Sequence, residues 1–218
     1  MKKISLLVLQ TLILFSVSAQ SVAINDAAAK KILDAVSVKF KTYKTLKATF
    51  TYKVENAAAK VLSAKTGTIY MKGVKYRVSI LGQEIFCDGI NVWTFDKVAN
   101  EVSVTKFDAE SNTLTPQKLF TNFYDAEFIY KLNGEKKQGT KTIQEIEMTP
   151  IDKSKPFHKV YIYIDKLTKT LNGTKVLEKT GSRYIYSITT LTANPVIAES
   201  YFIFDVKKFP GVEVIDLR

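Results

Sequence analysis

The sequence predicts a mainly β protein, in which one antiparallel sheet of about eleven strands curls into an open or closed barrel and short helices pack on it. Three observations carry this. The stretch from Gly67 to Phe95, GTIYMKGVKYRVSILGQEIFCDGINVWTF, reads as four short strands with turns at Gly73, Gly82 and Gly89. Within it Tyr76, Val78 and Ile80 alternate with Lys75, Arg77 and Ser79, which gives one strand a greasy face and a wet face. Comparable runs, joined by short polar connections, recur before and after it.

Residues 1–19, MKKISLLVLQTLILFSVSA, have the three parts of a secretory signal: two lysines, an apolar run from Ile4 to Phe15, and small residues at Val17 and Ala19. The run is about 12 residues long against the roughly 20 that span a bilayer, so it predicts export and cleavage after Ala19, with Ala23 as a second position. Residues 20–218 are then expected as one soluble domain in the periplasm. A lipoprotein signal carries a cysteine at the cleavage point, and the only cysteine is Cys87. Neither lipidation nor an internal disulfide is expected, and a sequence that is 46% hydrophobic supplies the core instead.

Asn25 and Asp26 cap a helix that starts at Ala27 and runs to about Phe40 or Tyr43. Ile32, Leu33, Val36, Phe40 and Tyr43 form one stripe on it. The next run, TLKATFTYKV, is a half-buried strand with Ala48, Phe50, Tyr52 and Val54 on one face and Lys47, Thr49, Thr51 and Lys53 on the other. A polar turn from Glu55 to Lys60 leads into the four strands above, and EVSVTKF adds another over 101–107. The β pattern breaks at DAESNTLTPQKLFTNFYDAEF, where Thr115 and Pro116 open a short helix over 116–123 carrying Leu119, Phe120 and Phe123. That helix suits a lid or a plug at one end of a barrel. Strands resume at 127–132, 142–149, 158–165, 170–179 and 182–191, and the closing SYFIFDVKKFPGVEVIDLR is apolar enough to dock on the body.

Several functions are disfavoured. The formal charge is +11, or +9 once Lys2 and Lys3 leave with the signal, but the lysines are scattered singly along strand faces and export separates the chain from nucleic acid. His158 is the only histidine, and neither GxSxG nor HExxH occurs, so no enzyme, metal site or cofactor is expected. Glu145 and Glu147 share a strand face that reads as solvent-facing. With 13 Phe, 11 Tyr and one Trp, the sheet suits either a carrier for an apolar ligand or a well-filled core.

LKATFTYKV after an amphipathic helix, GTIYMKGVKYRV, EIFCDGINVWTFD, TPQKLF as the inserted helix, VYIYID and the closing FIFDVKKFPGVEVID resemble, in order and spacing, the periplasmic outer-membrane lipoprotein carrier family, LolA. The resemblance spans essentially the whole mature chain. It implies an incomplete antiparallel barrel over a hydrophobic cavity, with short helices as the lid. It also implies a chaperone that takes acylated lipoproteins from an inner-membrane ABC-type release complex to an outer-membrane acceptor resembling LolB, and that acts as a monomer. The alternative is an exported β protein that binds another lipid or senses mislocalised lipoproteins at the envelope. The expected cavity residues are Phe50, Tyr52, Val54, Tyr70, Tyr76, Val78, Ile80 and Trp93, and the expected lid residues are Val36, Phe40, Leu119, Phe120 and Phe123. In many members the strand matching GTIYMKG ends in an arginine that bonds to the lid backbone. Gly73 stands there in this sequence, between Lys72 and Lys75, so the lid is expected to be held mainly by apolar contacts.

Overall fold

The computed structural model describes residues 25–108 and 124–218. The predicted signal over 1–19 and the predicted helix over 116–123, with Leu119, Phe120 and Phe123, lie outside the described residues. The chain opens with helix α1 (Ala27–Lys41) and continues through strands β1 (Leu46–Glu55), β2 (Val61–Lys72), β3 (Lys75–Ile80), β4 (Gln83–Cys87), β5 (Asn91–Asp96) and β6 (Glu101–Lys106). A single-turn helix α2 (Tyr124–Glu127) precedes β7 (Phe128–Gln138), β8 (Lys141–Pro150), β9 (Phe157–Asp165), β10 (Thr170–Glu178) and β11 (Arg183–Ala193). Two 3-10 turns, Glu199–Phe202 and Val206–Lys208, and strand β12 (Glu213–Asp216) complete it.

All twelve strands form one sheet in the order β12-β6-β5-β4-β3-β2-β1-β11-β10-β9-β8-β7. Two meanders meet in its middle. From β1 the chain steps outward to β6, crosses to the far edge at β7, and steps back until β11 pairs antiparallel with β1. The edge strands β7 and β12 do not pair, so the barrel stays open. Each of the eleven expected strands is present. The sequence reading missed the twelfth, which pairs parallel with β6 through Val214 and Val102, and it began β2 at Gly67 where the strand begins at Val61. Gly73, Gly82 and Gly89 have φ of 58°, 85° and 90°, values that explain glycine at these three turns.

Helix α1 begins where it does because Asp26 accepts from the backbone N–H groups of Ala28 and Ala29. The other carboxyl oxygen of Asp26 accepts from Leu132 N of β7, and Asn25 Oδ1 accepts from Tyr130 N. These bonds fix the helix start to the edge of the sheet. Ala29, Leu33 and Val36 of α1 are buried against the concave face. No helix among the described residues is long and apolar enough to cross a membrane.

The sheet carries apolar layers on both faces. The larger layer fills the concave side, from Leu46, Ala48 and Phe50 of β1 to Ile162 and Ile164 of β9 and Ile146 and Met148 of β8. A smaller one sits on the convex side of β4–β6, where Phe86, Phe95 and Val102 bury Phe204 of the C-terminal segment and Trp93, Phe209 and Val212 pack around them.

Candidate functional site

The concave face is closed at one end and opens towards the other. Along β1 the inward residues Leu46, Ala48 and Phe50 are 1%, 2% and 8% exposed, whereas Tyr52 and Val54 beyond them are only half-buried. The neighbouring strands repeat the gradient in register. Leu46, Met71, Tyr76 and Cys87 lie side by side across β1–β4 and are buried, while Val78 and Ile80 of β3 and Ile85 of β4, one and two steps further along, are half-buried. On the other side of β1, Ile188, Tyr186 and Tyr184 of β11 stand opposite Phe50, Tyr52 and Val54 and are half-buried too. The result is a trough, floored by β1 and β11, that opens at the hairpin turns β1–β2, β3–β4 and β10–β11.

Six of the eight expected cavity residues share this face: Phe50, Tyr52, Val54, Tyr76, Val78 and Ile80. Phe50 and Tyr76 belong to its closed part. Tyr70 and Trp93 do not face the trough. Tyr70, Arg77, Phe86 and Trp93 are direct neighbours across β2–β5, so all four project from the convex side. There Tyr70 meets Tyr201 at a ring distance of 4.8 Å and Trp93 packs on the convex cluster. The large apolar residues that β2 turns inward are Ile69 and Met71, and that of β5 is Val92. The sequence reading failed at TIYM and VWTF because consecutive apolar residues leave the alternation without a phase. It also missed Ile85, Tyr184, Tyr186 and Ile188. For β11 the signal was present, since Tyr184, Tyr186 and Ile188 recur at every second position of SRYIYSITTL.

Val36 and Phe40 of the expected lid lie on α1 against the concave layer. Helix α1 makes polar contacts beside its apolar ones. Besides the Asp26 and Asn25 bonds to β7, the Tyr124 hydroxyl donates to Asp34 Oδ1 at 2.9 Å, which ties α1 to α2. Gly73 has nothing within 4 Å of where a Cβ would stand. Its neighbours Lys72 and Lys75 face the C-terminal segment, where they bond Glu199 at 2.5 and 2.7 Å and hold its carboxyl down at about 2.

The wet face of β3 is less wet than its sequence suggests. The Arg77 guanidinium lies 4.4 Å from the ring centres of both Phe86 and Tyr201 and bonds Glu84 at 2.5 Å. Burial pushes the Glu84 carboxyl up, but Lys97 and Arg77 outweigh it and the net shift is downward. Glu145 and Glu147 accept from Asn133, and ion pairs join Glu145 to Lys136 and Glu147 to Lys131 and Lys159. They form a structural ladder on the convex face. His158 is exposed.

Several tyrosine hydroxyls are bonded within the chain, and those at the open end of the trough are not bonded among the described residues. The Tyr124 hydroxyl bonds Asp34, Tyr201 bonds Tyr70, and Tyr76 bonds Cys87. Tyr52, Tyr184 and Tyr186 instead lean on one another, with ring distances of 6.1 Å for Tyr52–Tyr184 and 5.0 Å for Tyr52–Tyr186. Burial pushes the Tyr186 phenol up to about 12, with Tyr52 and Tyr184 adding to it. Thr174, opposite Tyr186 on β10, is 1% exposed, and its hydroxyl has no partner among the described residues.

Residues 41–205 match the family described as outer membrane lipoprotein carrier protein LolA. No curated protein matches the sequence. A crystal structure of an uncharacterised conserved protein from Thermus thermophilus is similar in fold, with a TM-score of 0.60 at 13% identity over 87% of this chain and 99% of that one. A LolA superfamily protein from Nitrosomonas europaea gives a TM-score of 0.43 at 12% identity, covering 82% of this chain and 98% of its own. An outer membrane lipoprotein-sorting protein domain from Vibrio parahaemolyticus gives 0.43 at 12%, covering 80% and 97%.

Proposed function

The chain belongs to the LolA family of outer membrane lipoprotein carrier proteins, and on that premise we propose that it is a periplasmic chaperone whose trough holds the acyl chains of lipoproteins in transit to the outer membrane. The observation that carries this reading is the burial gradient of the concave face. A sheet that needed only a filled core would bury Tyr52, Val78 and Ile80 as it buries Leu46 and Met71; here they line a half-open apolar strip.

The physical need for such a strip is large. An acyl chain of about 15 methylenes, at roughly 0.8 kcal/mol each, costs about 12 kcal/mol to hold in water, so unaided crossing of an aqueous compartment is negligible. Phe50, Tyr52, Val54, Val78 and Ile80 would offset most of that cost, with α1 covering the chains through Val36 and Phe40. Half-burial also keeps the affinity moderate, as a carrier must release its cargo without a nucleotide. The reading includes removal of residues 1–19, a single carrier domain over 20–218 acting as a monomer, loading from an inner-membrane ABC-type release complex, and delivery to an acceptor resembling LolB where one exists.

The test is recovery of the native protein from the envelope of its own cells, followed by mass spectrometry of what it holds. Acylated lipoprotein in the complex supports the proposal. Protein that carries none, and that after purification fails to bind a fluorescent acyl probe, overturns it. An acyl-bound fraction containing only free lipid would favour the alternative of a carrier for another lipid.

A further inference from the structure

The open end of the trough carries polar groups on its inward face: Lys65 and Ser63 of β2 stand opposite Tyr52 and Val54, and Gln83 of β4 stands opposite Ile80. Tyr52 of β1 and Tyr184 and Tyr186 of β11 gather their rings near its open end, and no hydrogen bond holds their hydroxyls among the described residues. One strand further on, the Thr174 hydroxyl faces the same side, likewise without a partner there. An unpaired buried hydroxyl is costly, and that of Thr174 is one among the described residues. The buried Thr174 hydroxyl and the three half-buried phenols beside it place four unbonded donors in one patch, which a ligand that brings acceptors would satisfy. Phe50 touches Tyr186 at a ring distance of 6.2 Å and leads inward from the patch to the closed end.

We propose that Tyr52, Tyr184, Tyr186 and Thr174 form a polar subsite that donates hydrogen bonds to the ester or amide carbonyls at the head of an acyl ligand. The inference rests on the acyl-binding reading above and adds to it an orientation and a chemical class. Chains run from the tyrosines past Phe50 towards Leu46 and Met71, and the head stays at the hairpin end. The trough thus selects carbonyl-bearing acyl groups over plain alkyl chains of equal length. The phenols suit this task, because each offers a donor on an apolar body.

The experiment compares 1-monopalmitoylglycerol with its ether counterpart, 1-O-hexadecylglycerol, which keeps the chain and the glycerol but lacks the carbonyl. Both compete against a fluorescent acyl probe on the purified protein. The wild type is expected to prefer the ester on the order of tenfold, as two hydrogen bonds of ordinary net strength would give. Tyr186→Phe and Thr174→Val remove one hydroxyl each with little change of shape. Each is expected to shrink the preference severalfold by weakening ester binding while ether binding holds. Thr174→Val is also expected to leave the empty protein at least as stable as wild type, since the hydroxyl it removes has no partner among the described residues. Equal affinity for ester and ether in the wild type, or a preference unmoved by both variants, overturns the subsite and leaves the acyl trough standing. Failure of both ligands to displace the probe overturns the subsite and the trough together.

Discussion

Phe50 lies directly over Gly67: a Cβ placed on Gly67 would stand 2.5 Å from Phe50 Cζ and 2.9 Å from the Ser79 carbonyl oxygen. The two residues face each other across β1 and β2, so the missing side chain of one makes room for the ring of the other. This pair is the floor of the trough at the point where it passes from closed to open. Its geometry explains a glycine in the middle of a strand, where glycine otherwise weakens the ladder.

Gly67→Ala should therefore destabilise the fold by about 1–3 kcal/mol, since both the ring and the β3 backbone would have to move. Urea unfolding measures it. If the lost contact is the Phe50 ring, Gly67→Ala combined with Phe50→Leu should cost less than the two changes added together, and strict additivity would show that the ring is not the obstacle.

Val78→Glu separates a trough from a sealed core. Val78 stands between Ile69 and Ile85 on the inward face and is half-buried, so a carboxylate there can reach water. Circular dichroism should show an intact sheet while acyl-probe affinity falls by more than tenfold. Unfolding of the variant would mean that this part of the face is close-packed.

The only tryptophan, Trp93, reports the convex layer and not the trough. Its emission should stay unchanged when an acyl ligand binds and shift to the red in Phe204→Ala, because Phe204 is 4% exposed and centres the cluster on which Trp93 packs. That truncation should also cost about 3 kcal/mol. A strong emission change on ligand binding alone would place Trp93, and with it the neighbouring row Tyr70–Arg77–Phe86, in the binding face after all.

What was legible in the sequence follows from where side-chain alternation is unambiguous. β1 and β3 place a lysine, arginine, threonine or serine at every second position, and their faces and limits were readable. Tyr70 and Trp93 sit among apolar neighbours, and there the phase comes only from cross-strand pairing, which is non-local. The same holds for β12. Its four residues, EVID, gain strand geometry only by lying beside β6, more than a hundred positions earlier. The polar hold on α1 was half visible: Asp26 reads as a cap, but its second oxygen serves β7, and no local pattern announces that bond.

The Asp26 carboxylate gives α1 a dependence on acid. Its pKa lies below the ordinary 3.8, chiefly because Leu132 N donates to it, with Ala28 and Ala29 adding to the effect and burial opposing it. A carboxylate depressed in the folded state contributes stability that is complete above the unfolded value and is lost as pH falls through the folded one. The hold of α1 on β7 should thus be full at neutral pH and fade below about pH 3.8. Hydrogen exchange of α1 amides tests this against Asp26→Ala, which removes both the cap and the tie to Leu132. At neutral pH the variant should exchange faster than wild type throughout α1, and the difference should narrow as the wild-type carboxylate is protonated. Asp26→Asn keeps one acceptor oxygen and should fall between the two. If all three proteins exchange alike at neutral pH, the Asp26 carboxylate adds nothing to the hold on α1, which then rests on Leu33, Val36 and the bonds of Asn25 and Asp34.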